Sequence, residues 1–234
     1  MKKAGILGGG QLGRMLLQSA ANYPVLTHVL ENDENCPAAH LCHYFTKGNI
    51  NNFDDVYQFG KNLDCLTIEI ESVNTDALEK LQQEGVKIFP HPEALKTIKN
   101  KILQKQFYAD NQLPSSPFLV TQNKEDLKLH KDFLPAVHKA STDGYDGRGV
   151  QVLHSEDDYE KGFDVPSVLE KMVQVKKEIA IIVAVASNGE TAIYAPVDMV
   201  FDNNLNLLSH QISPADLDKK IFWKLEAVAL KKKK

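Results

Sequence analysis

Over its first ninety residues the chain alternates short apolar runs with amphipathic ones, and that alternation restricts the fold more than any other feature. Ala4-Gly5-Ile6-Leu7 and residues 25–30, 65–71 and 86–89 read as strands. Between them, residues 14–21, 49–63 and 75–83 carry apolar side chains at helical spacing, as in Phe53, Val56, Tyr57 and Phe59. Strands that alternate with helices are joined by crossovers, so the expectation is an α/β domain whose parallel sheet is covered by helices.

The first strand runs into Gly8-Gly9-Gly10-Gln11-Leu12-Gly13, a formal G-x-G-x-x-G in strand–turn–helix context. Its glycines permit a tight turn and close approach of backbone to an anion at the helix N-terminus. The second strand ends at Glu31, roughly where a dinucleotide-binding fold carries its ribose acid, so an NAD-dependent dehydrogenase is one reading. The other is that this turn opens an α/β domain with no dinucleotide. Glu69 and Glu71 share a face if residues 65–71 are one strand, either at a solvated edge or at the C-terminal end of a parallel strand, where α/β sheets bind ligands.

Pro90-His91-Pro92 interrupts the pattern. Residues 93–111 then form a lysine-rich helix with Leu95, Ile98, Ile102, Leu103 and Phe107 on its buried side, and Lys101 and Lys105 read as solvated charges or as a lysine near a nucleotide pocket. Leu113-Pro114-Ser115-Ser116-Pro117 is a proline-punctuated linker, and a domain boundary falls between Pro90 and Pro117. Beyond it lie strand 118–120, helix 124–130, and strands 134–139, 150–153 and 167–173. An apolar run at 179–186 is turned by Ser187-Asn188-Gly189-Glu190 into a returning strand, 191–200. This half is antiparallel in style, an α+β arrangement.

Between two of its strands sits Lys139-Ala140-Ser141-Thr142-Asp143-Gly144-Tyr145-Asp146-Gly147-Arg148-Gly149. Glycines let backbone N–H groups converge on an anion, and Arg148 adds a planar charged fork. The run therefore reads as a phosphate-handling loop, with Lys139 reaching the phosphates, or as a solvated glycine turn.

Composition narrows the partners. With 43% hydrophobic and 25% charged residues the chain is ordinary globular protein, and a net charge of −4 leaves no footprint for nucleic acid. No apolar run approaches the roughly 20 residues of a membrane span, so a cytoplasmic location is expected. Cys36, Cys42 and Cys65 suit reduced thiols. Cys36, His40, Cys42 and His43 crowd together without the pair-and-pair spacing of a zinc site, leaving a metal or an ordinary loop open there.

The opening glycine turn with Arg14-Met15-Leu16, the Thr67-Ile68-Glu69-Ile70-Glu71 strand, the Leu113-Pro114 linker, and Lys139 followed by the 143–149 glycine run together closely resemble 5-(carboxyamino)imidazole ribonucleotide synthase, an ATP-grasp enzyme of purine synthesis. The resemblance runs through essentially the whole chain. It implies a Rossmann-like pre-ATP-grasp domain at residues 1–95 and an ATP-grasp domain at 96–234, with a lid at about 116–178. It further implies ATP- and bicarbonate-dependent carboxylation of the exocyclic amine of 5-aminoimidazole ribonucleotide through carboxyphosphate, with magnesium bridging the phosphates, in a homodimer.

On this resemblance ATP is bound by Lys101, Lys139, Asp143, Gly144, Gly147, Gly149, the Glu170-Lys171-Met172-Val173 hinge and Glu178. Lys101 stands where the family usually has an arginine. The ribonucleotide meets Gly10, Gln11, Leu12 and Glu71, with Tyr145, Asp146 and Arg148 approaching as substrate-binding and catalytic residues. Ser72 stands where members commonly carry Asn, and Met199 and Phe201 where they carry Asn and His. The family's magnesium-binding carboxylates and C-terminal domain have no counterpart in the sequence, which ends in Lys231-Lys232-Lys233-Lys234. The expectation is a C-terminally truncated chain with no metal ligands of its own and little turnover alone.

Overall fold

A computed structural model describes residues 1–142, 149–202 and 207–231. The glycine-run residues Asp143, Gly144, Tyr145, Asp146, Gly147 and Arg148 lie outside the described residues. The chain divides into two compact units, Met1–Asn100 and Lys101–Lys234.

The first unit contains β1 (Lys2–Leu7), α1 (Gln11–Ala20), β2 (Val25–Glu31), β3 (Tyr44–Lys47), α2 (Phe53–Gly60), β4 (Cys65–Ile68), α3 (Thr75–Gln83), β5 (Lys87–Phe89) and α4 (Pro92–Lys99). Its strands form one sheet in the order β3-β2-β1-β4-β5, parallel at every pairing. This is the doubly wound order expected of a Rossmann-like domain. Alternation along the strands separates two cores. Leu7, Leu30, Leu66 and Ile88 pack with Val56, Leu78 and Leu81 of α2 and α3. Ile6 and Val29 pack with Leu17 of α1 and with Cys36 and Ala38 of the following loop. Asn52 and Asn74 cap α2 and α3 by accepting from Asp55 N–H and Ala77 N–H, which explains where those helices begin.

Two expectations need correction here. The strand expected over residues 65–71 ends at Ile68, so Glu69 and Glu71 do not share a strand face. The single helix expected over residues 93–111 is two, α4 and α5 (Lys101–Asp110), because Asn100 is extended at φ −118° and ψ 111°. Strand β3 was not expected, since only four residues, Tyr44-Phe45-Thr46-Lys47, with a mixed polar pattern form it.

In the second unit, β6 (Phe118–Thr121), β7 (Ala136–Ala140), β8 (Val150–Leu153) and β9 (Ser167–Lys171) form an antiparallel sheet in the order β6-β9-β7-β8. Leu127 and Tyr159, from 3-10 helices Lys124–Phe133 and Glu156–Lys161, close one face over Ala136, Leu153 and Leu169. Strands β10 (Glu178–Ala180), β13 (Val197–Phe201) and β14 (Leu208–Ile212) make a second antiparallel sheet. Strands β11 (Val183–Val185) and β12 (Thr191–Ile193) form a hairpin turned at Gly189, whose φ of +86° favours glycine. The apolar run at 179–186 is thus two strands, and so is the stretch at 191–200, which Tyr194-Ala195-Pro196 interrupts. Helix α6 (Lys219–Lys231) ends the described chain.

Candidate functional site

In the first unit the strand order reverses between β1 and β4, and the segments leaving their C-terminal ends are the glycine turn and residues 69–72. A parallel sheet opens its ligand crevice at such a switch point. Glu69 takes its place there through main chain, its N–H donating to Leu7 O at 2.8 Å. Its side chain lies along the turn. A Cβ on Gly8, which has φ +99°, would stand 2.8 Å from Glu69 Oε2, and one on Gly10 would stand 2.6 Å from Oε1. Helix α1 starts at Gln11 with Gly10 as its N-cap and no side-chain cap. Gln11, Leu12 and Glu71 are exposed. All four residues assigned to the ribonucleotide within this unit therefore stand on the turn or on the segment after β4.

Glu31, at the end of β2, folds its carboxylate back onto main chain. Its Oε2 accepts from Gly9 N–H at 3.1 Å and its Oε1 from Asn32 N–H at 2.7 Å, so the carboxylate buttresses the glycine turn. The acid of the dinucleotide reading is thus engaged by the main chain of the turn and of Asn32. Cys36 is buried against Gly9, and His43 Nδ1 is paired with Thr27 Oγ1 at 2.8 Å. Among the described residues no group of three or more His, Cys, Asp and Glu is placed to hold a metal ion. A cavity of about 370 Å³ among Lys3, His28, Lys47, Asp55, Gln58 and Asn62 contains none of the expected site residues.

In the second unit the sheet face opposite the apolar core carries the charges. Register aligns Glu170 of β9 with Phe118 of β6 and Val137 of β7, and Lys139 with Val168. Glu170 Oε1 meets Lys139 Nζ at 3.0 Å, and Oε2 meets Lys105 Nζ at 3.0 Å. The Glu170 side chain is 11% exposed, that of Lys105 10% and that of Lys139 30%. Lys105 also donates to Ser115 Oγ at 2.6 Å and lies 5.9 Å from the centre of the Phe118 ring. Lys105 is thus not the solvated charge expected of it. The apolar pattern pointed the other way: Lys105 is the buried residue of α5, whereas Ile98 and Leu103, expected on the buried side, are both 49% exposed, because the helix packs Lys105 onto the Glu170 carboxylate.

On the other face of β7, His138 is fully buried. Its Nδ1 accepts from Phe163 N–H at 3.2 Å, which leaves Nε2 to donate to Thr121 Oγ1 at 2.9 Å. Burial lowers its pKa from 6.5 to about 4, so the ring is neutral. The strand is therefore anchored inward through His138 and presents Lys139 outward.

The other expected ATP residues are spread along this unit. Lys101 N–H donates to Ser141 O at 2.9 Å, setting the start of α5 beside the end of β7, and Gly149 O accepts from Ala140 N–H at 3.0 Å. Lys171 Nζ is tied to the carbonyls of Leu134 and Asp132 at 2.9 and 3.2 Å, so it acts as a structural pin. Met172 and Val173 are exposed beyond β9, and Glu178 is exposed on β10 opposite Met199. Next to Glu178, Lys177 Nζ meets the buried Asp198 Oδ2 at 2.8 Å.

Both units are similar to known proteins. A ribonucleotide synthetase pre-ATP-grasp domain matches residues 1–99, and an ATP-grasp domain matches residues 106–233, more than half of the chain. Phosphoribosylaminoimidazole carboxylase of Candida glabrata is 34% identical over 215 residues, 87% of this chain and 38% of that protein. Carboxyaminoimidazole ribonucleotide synthase of Aspergillus clavatus, solved with ATP, superposes with a TM-score of 0.88 at 33% identity, covering 98% of this chain and 62% of that one. An N5-carboxyaminoimidazole synthase from the same organism, solved with ADP and 5-aminoimidazole ribonucleotide, gives a TM-score of 0.85 at 31% identity. The chain spans 24% of one curated relative, a bifunctional purine synthesis protein of Dictyostelium discoideum, and 58% of another, the N5-carboxyaminoimidazole ribonucleotide synthase of Staphylococcus epidermidis. Its two matched domains, its parallel and antiparallel sheets and these likenesses establish that the chain belongs to the N5-carboxyaminoimidazole ribonucleotide synthase family of ATP-grasp proteins.

Proposed function

We propose that this chain supplies the ATP-binding and ribonucleotide-binding surfaces of an ATP- and bicarbonate-dependent carboxylase acting on 5-aminoimidazole ribonucleotide. The observation that carries the reading is Lys139, the more exposed of two lysines on the buried Glu170 carboxylate, at the end of the strand that enters the glycine run. A lysine in that setting is a point charge available to phosphate.

In the proposed reaction a bicarbonate oxygen attacks the γ-phosphorus of ATP, forming carboxyphosphate and releasing ADP. The exocyclic amine of the ribonucleotide then takes up the carboxyl carbon as phosphate departs and the amine loses a proton. Positioning and charge neutralisation dominate such a transfer. Lys139 and Lys101 would face the phosphates with Gly149 and the glycine-run residues Asp143, Gly144 and Gly147. Glu170, Met172 and Val173 would border the adenine together with the main chain of Lys171, whose side chain is held by the Leu134 and Asp132 carbonyls, and Glu178 would accept from ribose hydroxyls. Gly10, Gln11, Leu12 and Glu71 would receive the ribonucleotide, with Tyr145, Asp146 and Arg148. Magnesium, when bound, would supply charge neutralisation at the phosphates; among the described residues no group of three or more His, Cys, Asp and Glu is placed to hold it. No helix among the described residues is long and apolar enough to cross a membrane, and we take the setting to be the cytoplasm and the assembly a homodimer.

Calorimetric titration of ATP into this chain tests the binding half: saturable binding is expected, at least tenfold weaker in Lys139→Ala. Binding that survives that change unaltered would refute the assignment of Lys139. For a chain extended to the relatives' full length, phosphate release from ATP should require bicarbonate and rise on adding 5-aminoimidazole ribonucleotide. Release indifferent to both compounds would refute the carboxylase reading.

A further inference from the structure

The arrangement around Glu170 holds more positive charge than the carboxylate needs. One buried carboxylate is balanced by one cation, yet Lys105 and Lys139 each approach a different oxygen at 3.0 Å. The two lysines are not equivalent. Lys105 is nearly enclosed, held also by Ser115 Oγ and lying over the Phe118 ring, whereas Lys139 is three times as exposed and stands near the end of β7, the strand that leads into the glycine run.

We propose that Lys105 is a positioning residue that keeps Glu170 neutralised so that Lys139 can be released to the ATP phosphates. This rests on the reading of Lys139 as a phosphate ligand. A carboxylate removed from water is tolerated only while it is paired. With Lys105 in place, Lys139 can turn toward an incoming phosphate and Glu170 keeps its partner on Oε2. Without Lys105, Lys139 is the sole counter-charge of Glu170, and every approach to phosphate strips a buried carboxylate of its pair. The site would then hold its lysine in the unproductive position. The ion pair also has a steering consequence: the cluster carries a net charge of +1 before nucleotide arrives, which an anionic phosphate cancels and a neutral nucleoside does not.

The test compares ATP with adenosine on the intact chain, by calorimetry or by competition with a fluorescent ATP analogue. Lys105→Met should weaken ATP binding by tenfold or more while changing adenosine binding less than twofold. Adding Glu170→Gln to Lys105→Met removes the charge that traps Lys139, and should restore the ATP-to-adenosine preference to within about threefold of the wild type. If Lys105→Met alone fails to fold, the comparison moves to Glu170→Gln with and without Lys105→Met, where equal ATP-to-adenosine preference is expected. The inference is overturned if Lys105→Met weakens both ligands equally, if ATP binding is unaffected, or if the double variant is no better than the single. Absence of ATP binding by the wild-type chain would instead overturn the underlying functional reading, and the inference with it.

Discussion

Lowering the pH from 7.5 to 5 protonates the His138 imidazole in the unfolded chain but leaves it neutral in the folded second unit, where the ring is cut off from water. His138 is fully buried and its pKa falls from 6.5 to about 4. Its Nδ1 accepts from Phe163 N–H, so protonation would set two donors against each other at 3.2 Å. The folded pKa is the depressed one. The stabilisation from keeping the ring neutral is therefore complete above pH 6.5 and is lost as pH falls toward 4. The full difference corresponds to about 3 kcal/mol, of which about 2 kcal/mol is gone by pH 5. Urea unfolding followed by circular dichroism at pH 7.5 and 5 measures this against His138→Gln, whose amide can still accept from Phe163 and donate to Thr121. The variant should start less stable but lose about 2 kcal/mol less than the wild type over that interval. Identical pH dependence in both proteins would show that His138 is not held neutral by the fold, and the account of β7 as a strand anchored inward would fail with it.

Other perturbations follow from the same geometry. Gly8→Ala should cost the first unit about 2 kcal/mol, because alanine at φ +99° is strained and its Cβ would displace Glu69, and slowed hydrogen exchange relative to wild type would contradict this. Lys177→Met should destabilise by about 3 kcal/mol in urea unfolding, since the 9%-exposed Asp198 side chain loses its cation, whereas Asp198→Asn should cost less because Lys177, 40% exposed, can turn to water. Equal losses from the two changes would mean that the carboxylate is not the trapped partner.

Much of the architecture is legible in local pattern. Alternating strand and helix periods over the first unit specify a parallel sheet because crossovers leave few other ways to bury both faces, and the helix starts at Asn52 and Asn74 are written in their capping side chains. Less legible were the places where short-range signals compete. Residues 65–71 have strand composition, yet the chain turns at Glu69, whose side chain is needed along the glycine turn rather than in the ladder. The helix over residues 93–111 has continuous amphipathic spacing, yet it breaks at Asn100, the last residue of the first unit, and Lys101 begins α5 by donating to Ser141 O, forty residues away in sequence.

The candidate site shows the same division. Sequence by itself determined the family, the glycine turn between β1 and α1, and a strand that carries Lys139, because those depend on residue types at fixed spacing. Only the tertiary structure decided what Glu31, Lys105 and Glu170 do. Glu31 turns back onto Gly9, and Lys105, expected in solvent, is buried with Lys139 on one carboxylate. The charge balance of a buried site is a sum over residues brought together from a helix and two strands, at positions 105, 139 and 170. No window of sequence contains that sum, because burial makes the pairing obligatory and only the fold determines which groups are buried together.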